Sequence, residues 1–181
     1  MKYVLKLSLT LLLITAVVAT ALAGVNALTE DRIAAVQVEK INNAISTLFP
    51  NTTQVRQLEA AEYADETGTV AAVYAADGGW AMEVHPSGFG GELTLMVGIS
   101  NTFEVAGVQV ISHAETPGLG AVAADKTSAG EAFRGSFVGK SGTLQVEDID
   151  AITSATITSQ AVVDGVNAAL ACEIIQKEAG Q

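Results

Sequence analysis

The chain has 181 residues, a formal net charge of −11, 49% hydrophobic residues and one cysteine, enough for a membrane anchor and one domain of ordinary size. No acidic residue precedes Glu30, so beyond Lys2 and Lys6 there remain 7 of the 9 basic side chains against 20 acidic ones, a balance of −13. Such a domain repels phosphate backbones, which excludes nucleic acid as a partner, and the lone Cys172 excludes an internal disulfide, iron–sulfur ligation and c-type haem attachment within this chain.

Leu7 to Ala23 is uncharged and mostly apolar, and Val4 and Val25 extend the run. A helix of about 22 residues spans roughly 33 Å, sufficient for a hydrocarbon core. Lys2 and Lys6 precede it, which predicts a cytoplasmic N-terminus and a domain on the far side of the cell membrane. A cleaved signal peptide is the rival reading, because Ala21-Leu22-Ala23 resembles a cleavage site. Residues 1–28 therefore read as a single-pass anchor. Residues 29–50 read as an amphipathic stalk helix, capped by Thr29 and striped by Ala34, Val38, Ile41, Ile45 and Leu48. Residues 51–181 form the main domain.

Strand patterns begin near Thr69. Thr69 to Ala75 is β-branched and aromatic, Asp77-Gly78-Gly79 is a turn signal, and Trp80, Met82 and Val84 alternate with Ala81, Glu83 and His85. After the break at Pro86 to Gly91, Leu93 to Ile99 reads as a central buried strand and Glu104 to Ser112 as its neighbour. Glu131 to Phe137 reads as a short helix, and Leu144 to Val146 and Ala151 to Ile157 as strand pieces. Thr158 or Ser159 caps a final helix with Val162, Val166, Ala169, Leu170 and Ile174 on one face. The expected fold is α+β: a mainly antiparallel sheet with flanking helices, preceded by one N-terminal transmembrane helix.

Two patches stand apart from this periodicity. Thr153 to Ser159 is dense in hydroxyls and leads into a helix start, where unpaired N–H groups and the positive dipole end favour a phosphate; by residue type alone the better reading is a Thr-rich strand followed by a Ser/Thr cap. Glu115-Thr116-Pro117-Gly118-Leu119-Gly120 is a loop whose glycines permit close approach of backbone to a ligand, or simply a surface turn. His85 and His113 lack metal-ligand spacing, and neither patch carries a nucleophile beside a base.

Asp150-Ala151-Ile152-Thr153-Ser154-Ala155-Thr156 resembles the flavinylation motif of the FMN-binding domain family. Glu115 to Gly120, and Gly88-Phe89-Gly90-Gly91 followed by the apolar run, resemble further signatures of that family, in the same order along residues 70–172. The family includes the G subunit of the Rnf electron-transport complex and the C subunit of the sodium-pumping NADH:quinone reductase. The resemblance implies FMN held covalently by a phosphoester on Thr156, installed by a flavin transferase that Asp150 helps to recognise. It further implies cofactor contacts from Thr153, Ser154, Ala155 and Thr158, with Glu115, Thr116, Leu119 and Gly120 around the ring. Ser154 departs from the family's usual glycine; a positive φ there would cost about 1 kcal/mol. Phe89 stands where tyrosine is common. The implied function is electron relay between ferredoxin and NAD in an ion-translocating Rnf-type complex, among other membrane subunits and with little turnover alone. The corresponding quinone-reductase component, or a non-redox extracellular binding module, is the alternative.

Overall fold

The computed structural model describes residues 2–60, 62–63, 65 and 67–178. Its first element, α1, runs unbroken from Lys2–Leu48 over 47 residues. The expected restart at Thr29 does not occur. Thr29 Oγ1 donates to the Val25 carbonyl at 2.9 Å, as Thr10 and Thr20 do to carbonyls four residues back. A threonine inside a continuous helix satisfies its hydroxyl this way, so a cap residue type is not by itself a helix boundary.

By packing, the chain divides into Met1–Lys40 and Ile41–Gln181. In the first unit the described helix side chains are solvent-exposed, and α1 is the one helix among the described residues long and apolar enough to cross a membrane.

The second unit is built on a five-stranded antiparallel meander in the order β1-β2-β3-β4-β5. The strands are β1 (Val55–Gln57), β2 (Val70–Ala76), β3 (Gly79–Val84), β4 (Thr94–Ser100) and β5 (Val105–Ser112). Four of them fall where strands were read above; β1 is a short, exposed edge strand with no apolar pattern to announce it. Register pairs Met82 with Val97 and Val84 with Leu95, and β4 in turn sets Leu95 opposite Val110 and Val97 opposite Val108. These side chains form one face of the sheet, covered by α3 (Thr156–Ala171), whose Val162, Val163, Val166 and Ala169 share their core.

The opposite face is covered as well, which explains the near-continuous apolar run of β4. The last turns of α1 lie on it: Ala44, Ile45 and the following Phe49 pack with Ala81 and Met96. Glycines make the seat. A Cβ at Gly107 would stand 2.8 Å from Leu48, and one at Gly98 would stand 3.4 Å from both Leu48 and Phe49.

Three further expectations need correction. Leu144 to Val146 is not a strand; the Asn167 side chain accepts from the Leu144 amide at 2.8 Å and donates to its carbonyl at 2.9 Å, replacing a neighbouring strand. The short helix, α2, spans Ser128–Gly135 and starts earlier, because Thr127 Oγ1 accepts from the Gly130 amide. The final helix breaks at Cys172, whose ψ of 136° is extended, so Ile174 belongs to a separate α4 (Glu173–Glu178).

Candidate cofactor site

Three segments meet at one end of the sheet: the 86–93 connection between β3 and β4, the 113–120 segment after β5, and the start of α3. The first is a closed loop, with Leu93 donating to the Pro86 carbonyl at 2.9 Å and Gly88 to that of Gly91 at 2.8 Å. The second ends in a 3-10 turn, Gly120–Ala123. Arg134 at the end of α2 holds that turn, donating through Nη1 to the Ala123 carbonyl at 2.6 Å and to that of Asp125 at 3.0 Å.

The third segment is not the strand expected for Ala151 to Ile157. Ile152 to Ala155 is a tight turn, closed by the Ala155 amide donating to the Ile152 carbonyl at 3.0 Å. Ser154 sits in it at φ 65°, the left-handed region that its departure from glycine brings into question. The turn starts α3 three or four residues before a cap at Thr158 or Ser159 would. Ala155 is the N-cap residue without a side-chain cap, and Thr156 opens the helix. Thr158 and Ser159 are therefore not caps. They point inward from the first turn, 1% and 0% exposed.

Each buried hydroxyl has its own task. Ser159 Oγ accepts from the Ile152 amide at 3.0 Å and donates to the Ala155 carbonyl at 3.1 Å, pinning the motif turn onto the helix. Thr158 Oγ1 donates to Glu115 Oε2 at 2.7 Å. Glu115 Oε1 accepts from the Gly90 amide at 3.0 Å. Among the described residues, Glu115, Thr158 and Ser159 are the buried polar or charged side chains, and all three lie here. Glycines make room for the carboxylate: a Cβ on Gly120 would strike Glu115 and Thr158, and one on Gly88 would strike Glu115.

Above this network opens a pocket of about 350 Å³ lined by Phe89, Glu115, Thr116, Leu119, Gly120 and Ser154 to Thr158. That volume lies at the low end of small-ligand sites. Phe89, Leu119 and Ile157 are 69%, 43% and 57% exposed, giving apolar walls that suit a flat aromatic ring. The amides of Thr156, Ile157 and Thr158 have no acceptor in the helix, whose first bond runs from Ser159 to the Ala155 carbonyl at 2.9 Å. Free amides beside an exposed Thr156 make an anion-binding corner. The pocket thus joins apolar walls to an anion-binding corner.

The pocket collects Thr156, Ser154, Ala155, Thr158, Glu115, Thr116, Leu119 and Gly120, whereas Thr153 is exposed and does not line it. Sequence reasoning missed Ile157 as a wall and Ser159 as the fastener of the motif turn. Ile157 was visible as a large apolar residue amid hydroxyls; Ser159 was visible only as a cap.

Residues 88–171 match the family model of the FMN-binding domain. The chain is 32% identical to the G subunit of the ion-translocating oxidoreductase complex of Methanosarcina acetivorans, over 93% of this chain and 94% of that protein. It is 33% identical to the G subunit of the Na(+)-translocating ferredoxin:NAD(+) oxidoreductase complex of Acetobacterium woodii, over 92% and 89% of the two chains. The G subunit of the proton-translocating ferredoxin:NAD(+) oxidoreductase complex of Clostridium ljungdahlii is 34% identical over 50% of this chain and 51% of its own length. This chain belongs to the family of G subunits of ion-translocating oxidoreductase complexes, and its FMN-binding domain spans the pocket just described.

Proposed function

We propose that this chain is the flavin-carrying electron relay of an Rnf-type complex, anchored by α1 with its N-terminus cytoplasmic and its second unit outside. FMN is joined by a phosphoester to Thr156 Oγ1, put there by a flavin transferase, with Asp150 on the exposed approach to the motif. Bound FMN accepts and donates electrons singly or in pairs; the chain's own residues hold it, shield one end from water and fix its distance from partners. Electrons pass between ferredoxin and NAD through other membrane subunits of the complex. The observation that carries this reading is the position of Thr156: an exposed hydroxyl on the first residue of α3, beside unpaired amides and an apolar-walled pocket.

A covalent bond explains how an exported carrier keeps its cofactor where FMN cannot be replenished. The test is denaturing electrophoresis after co-expression with a flavin transferase. A fluorescent flavin band should survive denaturation and vanish in Thr156→Ala. A parent chain that stays dark, or a Thr156→Ala chain that stays bright, removes the proposal.

A further inference from the structure

In α1, the hydroxyls of Thr10, Thr15, Thr20, Thr29 and Thr47 all donate to the carbonyl four residues back. Thr158 lies in the first turn of α3 and does otherwise. Its hydroxyl leaves its own helix for Glu115 Oε2, 43 residues earlier in the chain. The other oxygen of Glu115 takes the Gly90 amide, 25 residues earlier still. Each carboxyl oxygen is thus tied to a different segment. Among the described residues, no basic side chain forms an ion pair with it. A buried carboxyl group is costly unless its oxygens are hydrogen-bonded, and at 6% exposure Glu115 spends both of its oxygens on other segments of the chain.

What it organises is the pocket. One oxygen holds the 86–93 loop that carries Phe89; the other holds the turn of α3 that carries the free amides and Thr156. Glu115 itself begins the segment that supplies Thr116 and Leu119. We propose that Glu115 is the positioning residue of this site. It does not act as a ring contact but as a clamp that sets the Phe89 wall and the first turn of α3 at a fixed separation. In that arrangement the ring and the phosphate of one flavin are seated together. This inference rests on the flavin reading above.

The test uses the full-length chain in detergent and has two arms. Without flavin, hydrogen exchange at the Gly90 amide should quicken at least tenfold in Glu115→Ala. With the transferase present, the flavin-bearing fraction at a fixed early time should fall at least threefold in Glu115→Ala and in Thr158→Val. The flavin that is attached should show lower fluorescence anisotropy. Glu115→Gln keeps an acceptor for Gly90 and should recover most of the loading and of the anisotropy, whereas Glu115→Asp, one methylene short, should not. In the double variant Glu115→Ala/Thr158→Val the loss should be no larger than in Glu115→Ala alone, because Glu115→Ala already breaks the Thr158 link. Unchanged Gly90 exchange, or loading and anisotropy at parent level in Glu115→Ala, overturns the clamp. If Glu115→Ala fails to fold, Thr158→Val decides, and parent-like anisotropy there overturns it equally. A parent chain that takes up no flavin defeats the flavin reading instead, while the exchange arm still judges the clamp.

Discussion

Two residues other than glycine adopt positive φ among the described residues: Phe103 at 61° and Ser154 at 65°. The two regions balance the same strain differently. Phe103 closes the turn between β4 and β5, where a glycine or asparagine would be usual. Its ring stacks on Trp80 with centroids 6.1 Å apart and planes 16° apart, and it packs against the main core. Burial offsets the strain on the spot. Ser154 is exposed, and its side chain makes no hydrogen bond within the described residues. Its conformation is imposed by neighbours, through Ser159 and the Ile152–Ala155 turn, and the result is an opening beside Thr156. Strain at Phe103 is offset by packing, whereas strain at Ser154 lies at an open pocket.

The comparison can be broken by putting glycine in both places. Phe103→Gly relieves the backbone but loses the stack, and should lower stability by about 2 kcal/mol in urea unfolding, with flavin loading unchanged. A Phe103→Gly chain as stable as the parent would mean that the stack carries nothing. Removing the fastener on the other side is the next largest effect. Ser159→Ala should lower stability by about 1–2 kcal/mol by orphaning the Ile152 amide, and flavin loading should drop with it. Loading at parent level would show that the motif turn holds its shape unaided.

Ser154→Gly should move the opposite way from Phe103→Gly. Release of the strained φ should raise stability by about 0.5–1 kcal/mol, with loading equal to or faster than the parent's. A loss of stability would place the two turns in the same class. The smallest effect is a control outside both turns. Asp65 is penalised by burial, but hydrogen bonds from the Thr67 hydroxyl and from the Val70, Thr67 and Thr69 amides outweigh this and hold its carboxyl below the ordinary 3.8. A depressed folded value adds stability above that ordinary value, and the contribution is lost as pH falls through the folded one. Thermal melts from pH 5 down to pH 2 should therefore fall less steeply in Asp65→Asn, with both glycine effects unaltered at pH 7.

Much of this was legible in the chain itself. Met82 and Val84 announce a strand by alternation, and the continuous apolar run from Leu93 to Ile99 announces a central buried strand, because both are local patterns. The FMN-binding domain was legible through resemblance, and Ser154 stood out by not being glycine. What stayed hidden depends on contacts distant in sequence. Nothing local tells that Glu115 accepts from the Thr158 hydroxyl and from the Gly90 amide. Nor does it tell that Ser159 serves the turn before it, or that Asn167 stands in for a strand at Leu144. The unbroken α1 was obscured by Thr29, whose side chain serves a helix interior as readily as a helix start.

The glycine seat under Leu48 and Phe49 has a consequence for proteolysis. The last two turns of α1 are at once the continuation of the anchor and a layer of the folded unit, so the natural cutting line falls inside a helix. A protease acting near Lys40 would shed a soluble domain with both faces of its sheet still covered. One acting near Pro50 would leave Ala81 and Met96 open to water, and the shed fragment would be prone to self-association. A water-soluble form of this carrier should therefore begin no later than Ile41.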